Sequence, residues 1–424
     1  MTRGDIGARA ASAVDAEAMI EAARRLIRIP SYGGAESAAQ EAVAELAEGI
    51  GLRMDVWEID LEAVQSHPAA AWEIDREHAL GVVASLEGTG DGPTLLLNGH
   101  VDVVPPGDAA TWSDPPFEGV VRDGRLYGRG SLDMKGPLMA GLFAMKAIAD
   151  SRLQLAGTVR LQSVVGEEDG GLGTLATLIR GYRGDGAIVM EPTRSTVAPV
   201  QAGCVNFRVR VPGRAAHGAI RDEGVSAFEK LFDVYAAIAA LESRRNEDTA
   251  SDPLFAPYRI PFPISIGTLH GGDWASSVPD HVTMEGRLGV RPDESLDDAR
   301  RDLEAAVAHA ADQDRFLRAH PPVVEWWGGR FLPARISPDH PLVDALGRSV
   351  SQEFGEARPF EAVPFGADAG LLQHIGQTPT VLFGAGDIRR AHGPDEYVDI
   401  DELVSMARAL ARTIVDYCGV AGTG

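Results

Sequence analysis

The chain has 424 residues, 45% hydrophobic and 24% charged, an ordinary globular composition too long for one core, so two domains are expected. Its 62 acidic and 39 basic residues leave a formal net charge of -23, which argues against nucleic acid or an anionic membrane surface as partners. Only two cysteines occur, Cys204 and Cys418, which excludes a disulfide framework and points to a reducing, cytoplasmic setting.

Residues 1–16 are polar and alanine-rich without an apolar core of signal-peptide type, and no run approaches the ~18 apolar residues of a bilayer span. Neither export nor membrane insertion is expected. Residues 16–29 read as an amphipathic helix, with Met19, Ile20, Ala23, Leu26 and Ile27 at helical spacing and Pro30 as its stop. A second helix spans 35–50 and is closed by Gly51. The apolar run Leu95-Leu96-Leu97 ends in Asn98-Gly99-His100-Val101-Asp102. A glycine-rich turn, Gly128 to Gly136, enters a helix over 138–149, with Pro137 in its first turn. Strand-like runs at 159–165, 187–190 and 380–383 lead to Glu167-Glu168, to Glu191 and, through a glycine-rich loop, to His392. Alternating strands and helices to about residue 200 indicate a largely parallel sheet between helix layers.

The texture changes at Cys204. Residues 205–211 alternate as a half-exposed antiparallel strand does. A helix at 225–241, a loop at 242–257, strands at 264–269 and 282–290, and a helix at 296–311 with Ser295 as N-cap follow. The fold class is α/β: a catalytic domain with a mostly parallel mixed sheet between helices, plus an inserted α+β lid or dimerisation domain with an antiparallel sheet. The expected bounds are 1–203, 204–318 and 319–424.

In open α/β sheets ligands bind beyond the carboxyl ends of the strands. Singly, each candidate has an ordinary use in strand-end hydrogen bonding, helix capping or a solvated loop. Together they count as two histidines, two terminal carboxylates and Asp133 as a carboxylate able to bridge, which suits two metals held ~3.5–4 Å apart. Nitrogen and oxygen donors suit zinc, manganese or cobalt. In the adjacent pair Glu167-Glu168 one acid can bind metal while the other stays free as a base. Asp102, two residues beyond His100, is placed to accept that ring's other N–H.

Five motifs in this order resemble the co-catalytic dinuclear metallopeptidase and deacylase family, which includes acetylornithine deacetylase, succinyl-diaminopimelate desuccinylase, aminoacylase and carboxypeptidase G. They are Gly99-His100-Val101-Asp102, Gly128-Arg129-Gly130 with Asp133-Met134-Lys135-Gly136, Glu167-Glu168, Glu191-Pro192-Thr193 and Ala391-His392-Gly393-Pro394. The resemblance implies that His100 and Glu191 hold one metal, Glu168 and His392 the other, and Asp133 bridges both ahead of a cis peptide bond to Met134. It also implies Asp102 as the orienting carboxylate, Glu167 as general base and His217 as the group that polarises the substrate carbonyl, in dimeric members across the subunit boundary. Many members hold a substrate carboxylate with an asparagine and an arginine of the lid. This chain has Ser276 and Gly289 at those places, with Arg287 and Arg291 two residues either side of Gly289.

The expected activity is hydrolysis of a C–N bond in a small carboxylate-bearing substrate, most simply deacylation of an N-acyl amino acid or related amide by a homodimer. An aminohydrolase acting on an activated aromatic amine is the alternative, with Trp274, Trp326 and Trp327 as a candidate aromatic pocket. A non-catalytic binding protein on the same fold is the third reading.

Overall fold

The computed structural model describes residues 3–247 and 252–422. The chain divides into two compact units. The first comprises residues up to Gln201, Ala334–Ala362 and everything from Ala367 on; the second comprises Ala202–Pro333 and Val363–Gly366.

The first unit is built on a six-stranded sheet in the order Arg53–Glu58, Leu80–Leu86, Val159–Val164, Leu95–His100, Gly186–Val189, Thr380–Leu382. The first two pairings are antiparallel and the remaining three parallel. Leu95–His100 is buried along its whole length, as a central parallel strand covered on both faces must be. The helices Lys135–Asp150 and Ile400–Cys418 pack against it. Register then places the chemistry. His100 pairs with Val164, Asn98 with Val189, and Leu382 with Val189, so four parallel strands end within two residues of one another. His100 is itself a strand end, and the loops beyond the other ends carry Glu167-Glu168, Glu191 and His392. A first helix, Arg3–Ser12, packs on Ile400–Cys418. It is not marked in the sequence pattern because Ile6 is its one large apolar side chain.

The second unit is a four-stranded antiparallel sheet, in the order Ile264–Gly271, His281–Val290, Gly203–Pro212, Val323–Phe331. Alternation on Gly203–Pro212 buries Val205, Phe207, Val209 and Val211 beneath the helices Ala227–Glu247 and Leu296–Gln313. Ser295 caps the latter by accepting the Asp298 N–H. Two expectations are revised. The unit runs past residue 318 because Val323–Phe331 adds a fourth strand; its Gly328-Gly329 step breaks the register between Trp326 and Arg330 and hides the alternation. The stretch 242–257 is helical as far as Glu247, because Arg245 is buried there against Glu294 and Asp302. Residues 248–251 of that expected loop lie outside the described residues, and Pro253–Phe255 forms a short 3-10 turn. Among the described residues no helix is long and apolar enough to cross a membrane.

Candidate metal centre

His100, the last residue of its strand, is 1% exposed. Its Nδ1 lies 2.8 Å from the backbone carbonyl of Asp102. A carbonyl can only accept, so Nδ1 donates to it and Nε2 is the nitrogen turned toward the neighbouring carboxylates. The Asp102 carboxylate was the expected partner of this N–H, but it stands 3.7 Å away and instead accepts the backbone N–H of Glu168 at 3.0 Å. Asp102 therefore ties the His100 strand end to the Glu167-Glu168 turn.

His100 Nε2 lies 3.2 Å from Asp133 Oδ1 and 3.5 Å from Glu191 Oε1. On the other side, His392 Nε2 lies 3.4 Å from Asp133 Oδ2 and 3.1 Å from Glu168 Oε2. One candidate donor atom each from His100, Asp133 and Glu191 falls within 4.8 Å of the others, and the same holds for Asp133, Glu168 and His392. Asp133 is common to both groups, one oxygen toward each. The peptide that follows it, Asp133–Met134, is cis. Glu167 belongs to neither group; its Oε2 lies 3.9 Å from His100 Nε2.

Three buried carboxylates, Asp133, Glu167 and Glu191, beside the half-buried Glu168 are costly without cations. Burial, with Glu191 close by, holds the Glu167 carboxyl well above the ordinary range. Burial pushes Glu191 up to about 7 and, together with Asp133, raises Glu168. Burial also acts to raise Asp133, but hydrogen bonding to His100 and His392 outweighs it and holds this carboxyl below its ordinary value. Glu191 Oε1 is buried without a hydrogen-bond partner among the described residues.

Two supporting groups are not evident from motif spacing. Glu396 accepts the backbone N–H groups of Leu132 and Asp133 and pairs with buried Arg129. Arg76 pairs with Glu36 and Asp169. Glu396 stands four residues after His392, which is its only sequence signal.

The remaining candidates lie in the second unit. His217 caps the short helix Gly218–Glu223, its Nδ1 accepting the Ala219 N–H at 3.1 Å, so Nε2 carries the proton as an available donor. It bridges to Ser277, and Gly218 N–H donates to the Ser276 carbonyl at 2.7 Å, so His217 and Ser276 are neighbours. Arg287, on His281–Val290, makes one long contact of 3.4 Å to the Pro364 carbonyl. Arg291 lies just past the strand, its guanidinium bound to the Arg245 carbonyl. The three tryptophans do not form one pocket. Trp326 and Trp327 are consecutive on a strand and point to opposite faces. Trp326 packs on Phe207 and donates to Glu304, Trp327 lies under Arg208, and Trp274 is 73% exposed.

Residues 96–416 match the sequence pattern of peptidase family M20/M25/M40. The chain is 31% identical over 400 residues to the N-formyl-4-amino-5-aminomethyl-2-methylpyrimidine deformylase of Halalkalibacterium halodurans, covering 90% of this chain and 89% of the relative. It is 28% identical over 348 residues to a probable succinyl-diaminopimelate desuccinylase of Staphylococcus aureus, covering 77% and 83%. Its fold superposes on the dipeptidase Dug1p of Saccharomyces cerevisiae with a TM-score of 0.76 at 16% identity, over 99% of both chains.

Proposed function

The chain belongs to peptidase family M20/M25/M40, and from that premise we propose a dinuclear metal hydrolase that removes a small acyl group from an amine. The observation that carries this reading is Asp133, whose two oxygens each face a histidine and a second carboxylate. The donors fit a pair of divalent ions. Each group offers one imidazole and two carboxylates, and Glu191 Oε1, buried without a hydrogen bond among the described residues, is an atom whose desolvation a cation offsets. His100, Asp133 and Glu191 would hold one ion and Asp133, Glu168 and His392 the other, with zinc, manganese or cobalt suited to these donors. Bound there, the ions supply Lewis acidity toward water and charge stabilisation for an oxyanion.

The chain's own groups do the rest. Glu167 takes the proton of the attacking water and returns it to the departing nitrogen. Asp102 fixes the backbone of Glu168 and the tautomer of His100. His217 polarises the amide carbonyl through its Nε2–H. Arg287, nearly free of hydrogen bonds, takes a substrate carboxylate in preference to Arg291, whose guanidinium is already engaged, and Ser276 lines the same region of the lid.

We place the enzyme in the cytoplasm as a homodimer joined through the second unit. Cys204 and Cys418 are free and buried, which suits a reducing compartment. The helix Ala227–Glu247 presents Phe228, Phe232 and Tyr235 to solvent at 47%, 58% and 51% exposure. The strand Ile264–Gly271 is an unpaired sheet edge.

N-Acyl amino acids are the first substrate class. The identity to a deformylase over nine-tenths of the chain favours a second, N-formyl groups on the aminomethyl arm of a heteroaromatic ring. Metal-reconstituted protein is incubated with both panels and products are read by mass spectrometry. A free carboxylic acid plus amine is the expected result. Ammonia plus a hydroxylated product overturns deacylation in favour of an aminohydrolase. No bound metal and no turnover of either panel would overturn the hydrolase reading and revive that of a non-catalytic binding protein.

A further inference from the structure

Glu167 and Glu168 stand on the turn that follows Val159–Val164, and the next residue, Asp169, is held from outside the family match. Asp169 Oδ2 accepts the backbone N–H groups of Glu73 and Ile74 at 3.1 and 2.9 Å and Arg76 Nη1 at 3.0 Å, while Oδ1 accepts Arg76 Nη2 at 2.8 Å. The same guanidinium reaches Glu36, through Nη2 at 2.9 Å and Nε at 3.2 Å, and Nη1 also donates to the Ile74 carbonyl at 3.1 Å. All five N–H donors of Arg76 are thereby used, and the three side chains are 1%, 2% and 4% exposed. The turn is seated closely on this segment. A Cβ at Gly166 (φ +65) would lie 3.0 Å from Arg76 Nη2, and one at Gly170 (φ +135) would lie 2.5 Å from the Ala71 carbonyl oxygen.

A buried ion cluster is weak as a source of stability, since its desolvation cost rivals its attraction. What it does supply is fixed geometry, and here that geometry belongs to the turn of the base and a ligand. We infer that Arg76 is a positioning residue for the metal centre: it clamps Asp169 to Glu36 and so fixes where Glu167 and Glu168 stand. The inference rests on the reading of Glu168 as a ligand and Glu167 as the base.

The test is Arg76→Lys, which keeps the charge but replaces a rigid five-donor fork with a point charge unable to serve both carboxylates. Affinity for zinc is measured by competition with a chromophoric chelator, alongside kcat, KM and the melting temperature of the metal-free protein. Zinc affinity should fall about 10–100-fold, as for groups that orient ligands. The turnover number should fall by a similar factor, with KM within about twofold of wild type. Asp169→Asn should behave likewise. If Arg76→Lys does not fold, Glu36→Gln, which leaves Arg76 on Asp169, carries the test with a smaller drop in zinc affinity. Zinc affinity and kcat equal to wild type, whatever the melting temperature, overturn the inference. Glu168→Ala is run in parallel. If it retains full zinc binding, the ligand reading itself has failed; if it loses zinc while Arg76→Lys does not, only the clamp has failed.

Discussion

Glu396 holds Asp133 by its backbone: one carboxylate oxygen accepts the Asp133 N–H at 3.4 Å and the Leu132 N–H at 3.2 Å. The loop that supplies His392 thus also fixes the carboxylate shared by both ligand groups. The other oxygen of Glu396 pairs with Arg129, which is buried with its guanidinium 5.2 Å from the Trp112 ring centre. Glu396→Gln keeps an acceptor for the two N–H groups and leaves Arg129 without its counter-charge. Breaking a buried pair in this way costs about 3–5 kcal/mol, read by denaturant unfolding. Zinc affinity should fall at least about tenfold. Full affinity in the folded variant would show that Glu396 serves stability alone.

Glu167 lies in neither candidate ligand group, so its substitution separates binding from chemistry. Glu167→Gln should retain wild-type metal content by mass spectrometry while kcat falls about 10²–10⁴-fold, the range for loss of a general base. Loss of metal in step with activity would instead make Glu167 a ligand.

Much of this centre is legible in sequence because parallel strands deliver their successors to one edge. Glu191 follows an apolar run directly, and His100 and the Glu167-Glu168 pair follow theirs within two residues, on neighbouring parallel strands. What the spacing does not show are groups whose partners are distant in sequence. Arg76 meets Asp169 across 93 residues and Glu396 meets Leu132 across 264. Each looks like a solvated charge until the fold buries it. Asp102 is a subtler case: its proximity to His100 suggests a side-chain bond, but chain direction at the strand end presents the carbonyl and frees the carboxylate for Glu168.

Removing metal should make stability fall as pH rises. Burial raises Glu191 and Glu396 to about 7 and Asp368 to about 6, each above its unfolded value. Between those values the folded chain holds more protons than the unfolded one, so stability declines from about pH 5 to about pH 7. His392 acts in the same sense. Burial lowers it, but hydrogen bonding to Asp133 and Glu168 raises it to about 11, so its stabilisation is complete below the unfolded value and is lost as pH rises toward 11. Metal replaces the protons held by Glu191 and His392, so its affinity rises with pH. The increase in melting temperature on adding zinc to chelator-treated protein should therefore be larger at about pH 7 than at about pH 5. An increment that does not change with pH contradicts this charge balance.

His217 presents an Nε2–H because Ala219 occupies Nδ1. If that donor polarises the substrate carbonyl, His217→Ala should lower kcat by about 10²–10³-fold, as removal of one oxyanion donor does, with metal content unchanged. His217→Asn, which keeps an N–H donor, should recover part of the loss. Unchanged turnover in His217→Ala excludes the role.

The aromatic stripe on Ala227–Glu247 gives the proposed dimer its own test. Phe228 and Phe232 make an edge-to-face pair at 5.1 Å, and Tyr235 follows three residues later on the same helix. Side chains spaced four and three apart share one face, so the three form a continuous apolar strip. The positions of this helix that face its own sheet are different ones, Leu231, Val234, Ile238 and Leu241, so the strip is free of the unit's core. Phe232→Glu places a charge at its centre without touching that core. Light scattering should show dimers in the wild type and monomers in the variant at micromolar concentration, with metal content retained in both. A wild type that is monomeric removes the dimer from the proposal, and a variant that stays dimeric moves the interface elsewhere on the chain.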